Sequence, residues 1–158
     1  DNDYPVNSGH SAPRGEAGNE NGRTLKQYEQ LKRVGGMIGM SHSANATEFV
    51  KAFRQVAKAM GYSHIGIGTD VGGFATLPMP DSTLHLNYDS AFTRCHTGNR
   101  TWDINKDGVA HYGLWPDYIR LWDEAGMTAR EKKVFMNSAE DFTEMWERSE
   151  QRKMQVGN

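Results

Sequence analysis

A single cysteine, Cys95, stands among 158 residues. No intrachain disulfide can form, and a lone thiol says nothing of the redox compartment. Long apolar runs are missing too, so no segment has the length of a membrane-spanning helix, and nothing resembles a secretion signal. The opening DNDYPVNS leaves the expectation that the original start of the chain has been lost. Neither sign of charge dominates: 18 Lys and Arg face 20 Asp and Glu, for a formal net charge of −2. Without a basic stripe there is no electrostatic argument for nucleic acid or for an anionic membrane as partner. A Walker loop, GxGxxG, GxSxG and CxxC are all absent, which removes the usual support for nucleotide binding, serine hydrolysis and thiol chemistry.

What is there is an ordinary globular composition, 37% hydrophobic, 10% aromatic and 24% charged. That suffices for one domain with a core and is too short for two. Tyr4 to Val6 reads as the apolar part of a short strand that runs out into Ser8, Gly9 and His10. The polar, glycine-rich loop APRGEAGNENG follows. Then Thr24 and Gln27 form a capping-box pattern ahead of Leu25, Tyr28, Leu31 and Val34 at helical spacing, with Gly35 as the stop. GMIGM, residues 36–40, reads as a strand, and TEFVKAFRQVAKAMG as the best helix of the chain, ended by Gly61. The strand His64 to Gly68 delivers Asp70 at its exit. Short apolar strands alternating with amphipathic helices imply parallel pairing through right-handed crossovers, because a parallel connection needs about a dozen residues to return. The expected class is α/β. Residues 71–115 show little periodicity and read as a long loop. Helical patterns close the chain, with box-like caps at Thr128 with Glu131 and at Ser138 with Asp141.

In parallel α/β folds, chemistry gathers beyond the carboxyl ends of the strands. His10, Ser41 with His42, and Asp70 occupy that position on successive strands. An imidazole that holds a cation and a carboxylate that takes a proton from bound water are the needs of a hydrolytic metal site. The plainer reading is that strand ends carry polar residues as turn formers and caps. The segment DINKDG, Asp103 to Gly108, resembles the start of a calcium loop, but its twelfth position is Leu114 where a bidentate carboxylate is needed. An Asx-rich turn is the favoured reading there. His111 and Tyr112 line a cleft or simply pack.

YPVNSGHSAPR, LKQYEQLKRVGGMIGM and HIGIGTDVGG, in that order, together with the closing GLWPDYIRLWDEAGMTAREKKVFMNSAEDFTEMWE, resemble the carboxyl-terminal part of the membrane (renal-type) dipeptidase family of the metal-dependent amidohydrolase superfamily. The resemblance implies part of a (β/α) barrel, with about three parallel strands here, crossover helices, a long loop and a helical end, and a zinc-dependent hydrolase acting on a small peptide or amide. Carried over by position, His10 matches a zinc ligand. Asp70 matches the acidic residue that handles the proton of the attacking water. Arg23 falls near the arginine that receives the substrate carboxylate, and Arg14, closer to His10, competes for that role. One departure is Gly72, where the family has a second acid.

A complete barrel of this kind needs roughly 250 residues and eight strands. The resemblance therefore implies that the chain, a single domain, is the carboxyl-terminal portion of such a barrel, with one or two zinc ions in the complete enzyme and too few ligands for them here. Bare strand edges would leave apolar surface exposed. A homo-oligomer or a complementing chain is the expected partner. The alternative from another class is a non-catalytic α/β fragment with an assembly role.

Overall fold

The computed structural model describes residues 4–15, 21–43, 45–71 and 79–156. Two compact units emerge, one formed by residues 1–42, 51–69 and 128–158, the other by residues 43–50 and 70–127.

The first unit is built on a parallel sheet in the order β2-β1-β3-β4, with β1 at Asn7–Pro13, β2 at Gly22–Arg23, β3 at Met37–Met40 and β4 at Ile65–Ile67. Among the described residues this sheet is open, as in part of a (β/α) barrel, and the class is α/β. The connections are α1, Leu25–Arg33, and α2, Ala46–Met60. The Thr24 box forms as the sequence predicts: Gln27 N–H donates to Thr24 Oγ1 at 3.3 Å, and Thr24 N–H to Gln27 Oε1 at 2.9 Å. The apolar stripe of α1 is only partly covered, because Tyr28 is buried while Leu25 remains exposed. Ile38, Met40, Phe53, Val56, Met60 and Ile65 form the core of this unit. Two further helices, α5 at Ala129–Met136 and α6 at Ser138–Val156, pack on β4, and the Phe53 and Phe135 rings meet at 4.9 Å.

The first strand begins later than its apolar residues suggest. Tyr4 and Val6 are exposed and precede β1, while the polar Asn7, Ser8 and Ser11 carry the ladder with β3. The physical reason lies in the register. Asn7 pairs Met37 and Ser8 pairs Ile38, but Ser11 pairs Met40, so Gly9 and His10 together stand opposite Gly39. That is a bulge, which bends a strand and re-aims a side chain.

The second unit takes in the start of α2 and most of the long segment. Asp81 caps α2: its carboxylate accepts from Ala46 N–H at 2.7 Å and from Thr83 and Leu84 N–H at 2.8 and 3.0 Å. Burial alone would raise its pKa, but those donors outweigh it and hold the carboxyl below its usual range. The segment read as structureless contains a small hairpin, β5 at His96–Thr97 with β6 at Arg100–Thr101, and the short α3, Ile104–Asp107. Then α4, Trp115–Glu124, brings Tyr118 and Trp122 against Phe49, whose ring stacks on Trp122 at 4.9 Å. Tyr118 O–H donates to the Ser43 carbonyl at 2.6 Å.

Candidate functional site

The bulge decides where His10 goes. Its imidazole reaches β4 from β1, although β3 lies between them in the sheet, and Nδ1 lies 2.6 Å from the Gly68 carbonyl oxygen at the exit of β4. A carbonyl only accepts, so Nδ1 carries the hydrogen, and in the neutral ring Nε2 is then the basic nitrogen. A side chain at Gly39 or Gly68 would run into the Gly9 carbonyl oxygen, so glycine at both positions permits this close approach. His42, just beyond β3, repeats the arrangement: its Nδ1 lies 2.9 Å from the carbonyl oxygen of the next residue, Thr69.

A cleft of about 670 Å³ opens beside the first strand, lined among others by Ser8, His10, Asn21, Arg23, Gln30 and Arg33. His10 and the half-buried Arg23 thus share one concavity within one unit. Arg14 does not line it. Its side chain is exposed and turns to the chain of β2, donating from Nε to the Gly22 carbonyl at 3.3 Å.

Asp70 is exposed and holds φ at 52°, a left-handed conformation unusual for a residue with a side chain. The glycines that follow it, Gly72 and Gly73, lie outside the described residues. In sequence, Asp70 follows by two residues the carbonyl that orients His10.

The DINKDG oxygens are engaged otherwise. Asp103 accepts from Asn105 N–H at 3.0 Å as the cap of α3 and pairs with Arg94 at 2.8 Å, while Asp107 pairs with Arg100 at 3.0 Å. This is the capping arrangement of an Asx turn. His111 caps the turn before α4, accepting from Gly113 N–H at 3.0 Å, and its ring packs edge-on against Trp102.

Among the described residues, the only His, Cys, Asp or Glu group of three or more with ligand atoms close together is His64, Asp141 and Glu144. It lies at the other end of β4 from the His10 contact. Sequence reasoning missed it because Asp141 has a nearer role in prospect as partner of Ser138 in a helix cap. Instead Asp141 Oδ2 accepts from His64 N–H at 2.7 Å.

No protein-family model matches the chain, and no curated protein matches it in sequence. Among solved structures it is similar to an amidohydrolase from Pseudomonas aeruginosa, at 18% identity and a TM-score of 0.56, over 90% of this chain and 45% of that one. At this identity the likeness is one of fold alone, and the chain spans less than half the length of that protein.

Proposed function

We propose that this chain is the carboxyl-terminal portion of a zinc-dependent hydrolase of the dipeptidase type, cleaving a small peptide or amide once the rest of the barrel is supplied by a further segment, a second copy or a complementing chain. The observation that carries this reading is the His10 contact. Histidines that ligate metals characteristically donate their other ring N–H to a carbonyl or carboxylate, which fixes tautomer and orientation. His10 does so from Nδ1, beside a strand bulge, and this tautomer makes Nε2 the basic nitrogen. His10 therefore fits the donor expected for zinc.

Zinc held there would supply an acidic water near neutral pH. Asp70 takes the proton of the attacking water and returns it to the leaving amine, a role that needs an accessible carboxylate. Arg23 receives the substrate's terminal carboxylate through its planar, bidentate guanidinium. Its place in the cleft with His10 favours it over Arg14.

A second reading, a non-catalytic fragment that serves assembly, draws on the exposed Ile67 of the edge strand β4 and on the exposed Tyr4 and Val6 ahead of β1. One experiment separates the two. The chain is loaded with zinc, assayed for bound metal, and tested on a dipeptide panel across a range of protein concentrations. Turnover that falls at least about 100-fold in Asp70→Asn supports the hydrolase. Within it, Arg23→Ala should raise KM more than tenfold while Arg14→Ala changes little. Metal-free, inactive protein at every concentration leaves the assembly reading.

A further inference from the structure

His64 enters β4 from a turn in which Gly61, Tyr62 and His64 all take positive φ, at 77°, 62° and 59°. The left-handed region is unfavourable for residues with a Cβ, so something must hold His64 there. Its backbone is clamped on both sides. The N–H donates to Asp141 Oδ2 at 2.7 Å, and the carbonyl accepts from Ile38 N–H at 3.0 Å.

The clamp sets the imidazole between two carboxylates. Nδ1 lies 3.9 Å from Asp141 Oδ1, and Nε2 lies 3.8 Å from Glu144 Oε2. Both gaps are too long for hydrogen bonds. Nε2 is nevertheless buried, and it has no hydrogen-bond partner among the described residues. A buried polar atom left in this state calls for an explanation. Asp141 and Glu144 stand three apart on α6, so they share a helix face. One ligand atom from each of the three side chains falls within 4.8 Å of the others.

The gap between Nε2 and Glu144 Oε2, 3.8 Å, is a separation that two ligands of one ion take, and the wider spacing of the group, within 4.8 Å, closes by side-chain rotation. Zinc binds imidazole nitrogen and carboxylate oxygen at about 2.0–2.2 Å, so two of its donors stand roughly 3.3–4 Å apart. One nitrogen and two oxygens are a donor set suited to a borderline cation and less to calcium or magnesium, which prefer oxygen alone. Arg148 is paired with Glu144 from one turn further along α6, and the Lys32 ammonium lies against Gly61 in the same turn. Arg148 is half exposed and can swing away from an arriving cation.

We propose that His64, Asp141 and Glu144 form a binding site for a divalent transition-metal ion of the zinc type, which fastens α6 to the turn ahead of β4. The site lies at the end of β4 opposite the His10 contact and does not depend on the reading given to His10. Its role is structural. The ion satisfies the orphaned Nε2, neutralises the paired carboxylates, and ties together parts of the chain 77 residues apart.

The test uses the full chain, freed of metal by chelator and then titrated with zinc chloride while bound metal and melting temperature are read. The His10→Ala background removes the imidazole at the β1 bulge. In that background one zinc should still bind, and at about 100-fold excess over its dissociation constant the melting temperature should rise by roughly 5–10 °C. Glu144→Gln, at a half-exposed helix position, should fold normally and lose the rise. His64→Asn, which tolerates the left-handed backbone, should lose it as well. A rise that persists in both variants, or no zinc bound by His10→Ala, overturns the proposal. Because the His10→Ala chain lacks the ligand of the proposed hydrolytic centre, failure here and failure there remain distinct results.

Discussion

His10 and Gly68 are joined across an intervening strand: the imidazole Nδ1 lies 2.6 Å from the Gly68 carbonyl oxygen, although the two residues are 58 positions apart. A Cβ at Gly39 or at Gly68 would meet the Gly9 carbonyl oxygen, so the close approach of these three backbones depends on glycine.

Substituting that glycine tests the link. In Gly68→Ala the added methyl would collide with the Gly9 carbonyl oxygen, a backbone atom that cannot turn aside. The expected cost is roughly 1–3 kcal/mol, as for other overpacked positions. Urea unfolding should show it, and the His10 ring resonances in an NMR spectrum should shift as the Nδ1 contact lengthens. An alanine variant of wild-type stability, with unmoved His10 resonances, would contradict the account.

The helices were legible because each rule that predicts them is local. Thr24 with Gln27, and Thr128 with Glu131, each need only four consecutive residues, and both boxes are present. The strands were less so. β1 is carried by Asn7, Ser8 and Ser11, whose polarity gives no alternating signal, so the apolar Tyr4 and Val6 drew the prediction toward themselves. Position on the strands identified His10 and Asp70 as candidates, but the bulge that aims His10 depends on pairing with Met37 to Met40 and could not be read from either segment alone. The His64 group was invisible for the same reason. Its members become neighbours only when α6 packs on β4.

A second prediction concerns acid. Arg54 grips the Glu131 carboxylate with two hydrogen bonds, at 2.7 and 3.2 Å. Together with the Thr128 N–H at 2.8 Å, and against the opposing effect of burial, this draws the Glu131 pKa from 4.5 down to about 2. A carboxyl whose folded-state pKa is depressed stabilises the fold fully above its unfolded value and loses that contribution as pH falls through the folded one. Because Arg54 is half exposed, solvent screening limits the gain, and Arg54→Ala should cost up to about 1 kcal/mol at pH 7. The deficit should shrink between pH 4.5 and about 2 and be gone below it. Chemical denaturation at pH 7 and at the acid end reads this directly. An unchanged deficit in acid would mean that Arg54 acts through packing instead.

Asp117 behaves in the opposite sense. It is buried near the start of α4, where Tyr88 O–H donates to its Oδ1 at 2.5 Å. Burial raises its pKa above the ordinary carboxylate range, and the Tyr88 bond offsets this only in part. A carboxyl raised on folding stabilises the fold while protonated, and that contribution is lost as pH climbs through the folded-state value. Wherever this carboxyl is ionised the chain bears the cost of a buried charge, eased by the positive end of the α4 dipole. Asn keeps an acceptor for Tyr88 and removes the charge. Asp117→Asn should thus be as stable as the parent at pH 7, or more stable by about 1 kcal/mol or less, and the advantage should vanish once the parent is acidified enough to protonate Asp117. Paired melting curves over that range decide the matter, and a variant clearly weaker at pH 7 would show that the carboxylate is held in its charged form by a partner that Asn cannot satisfy.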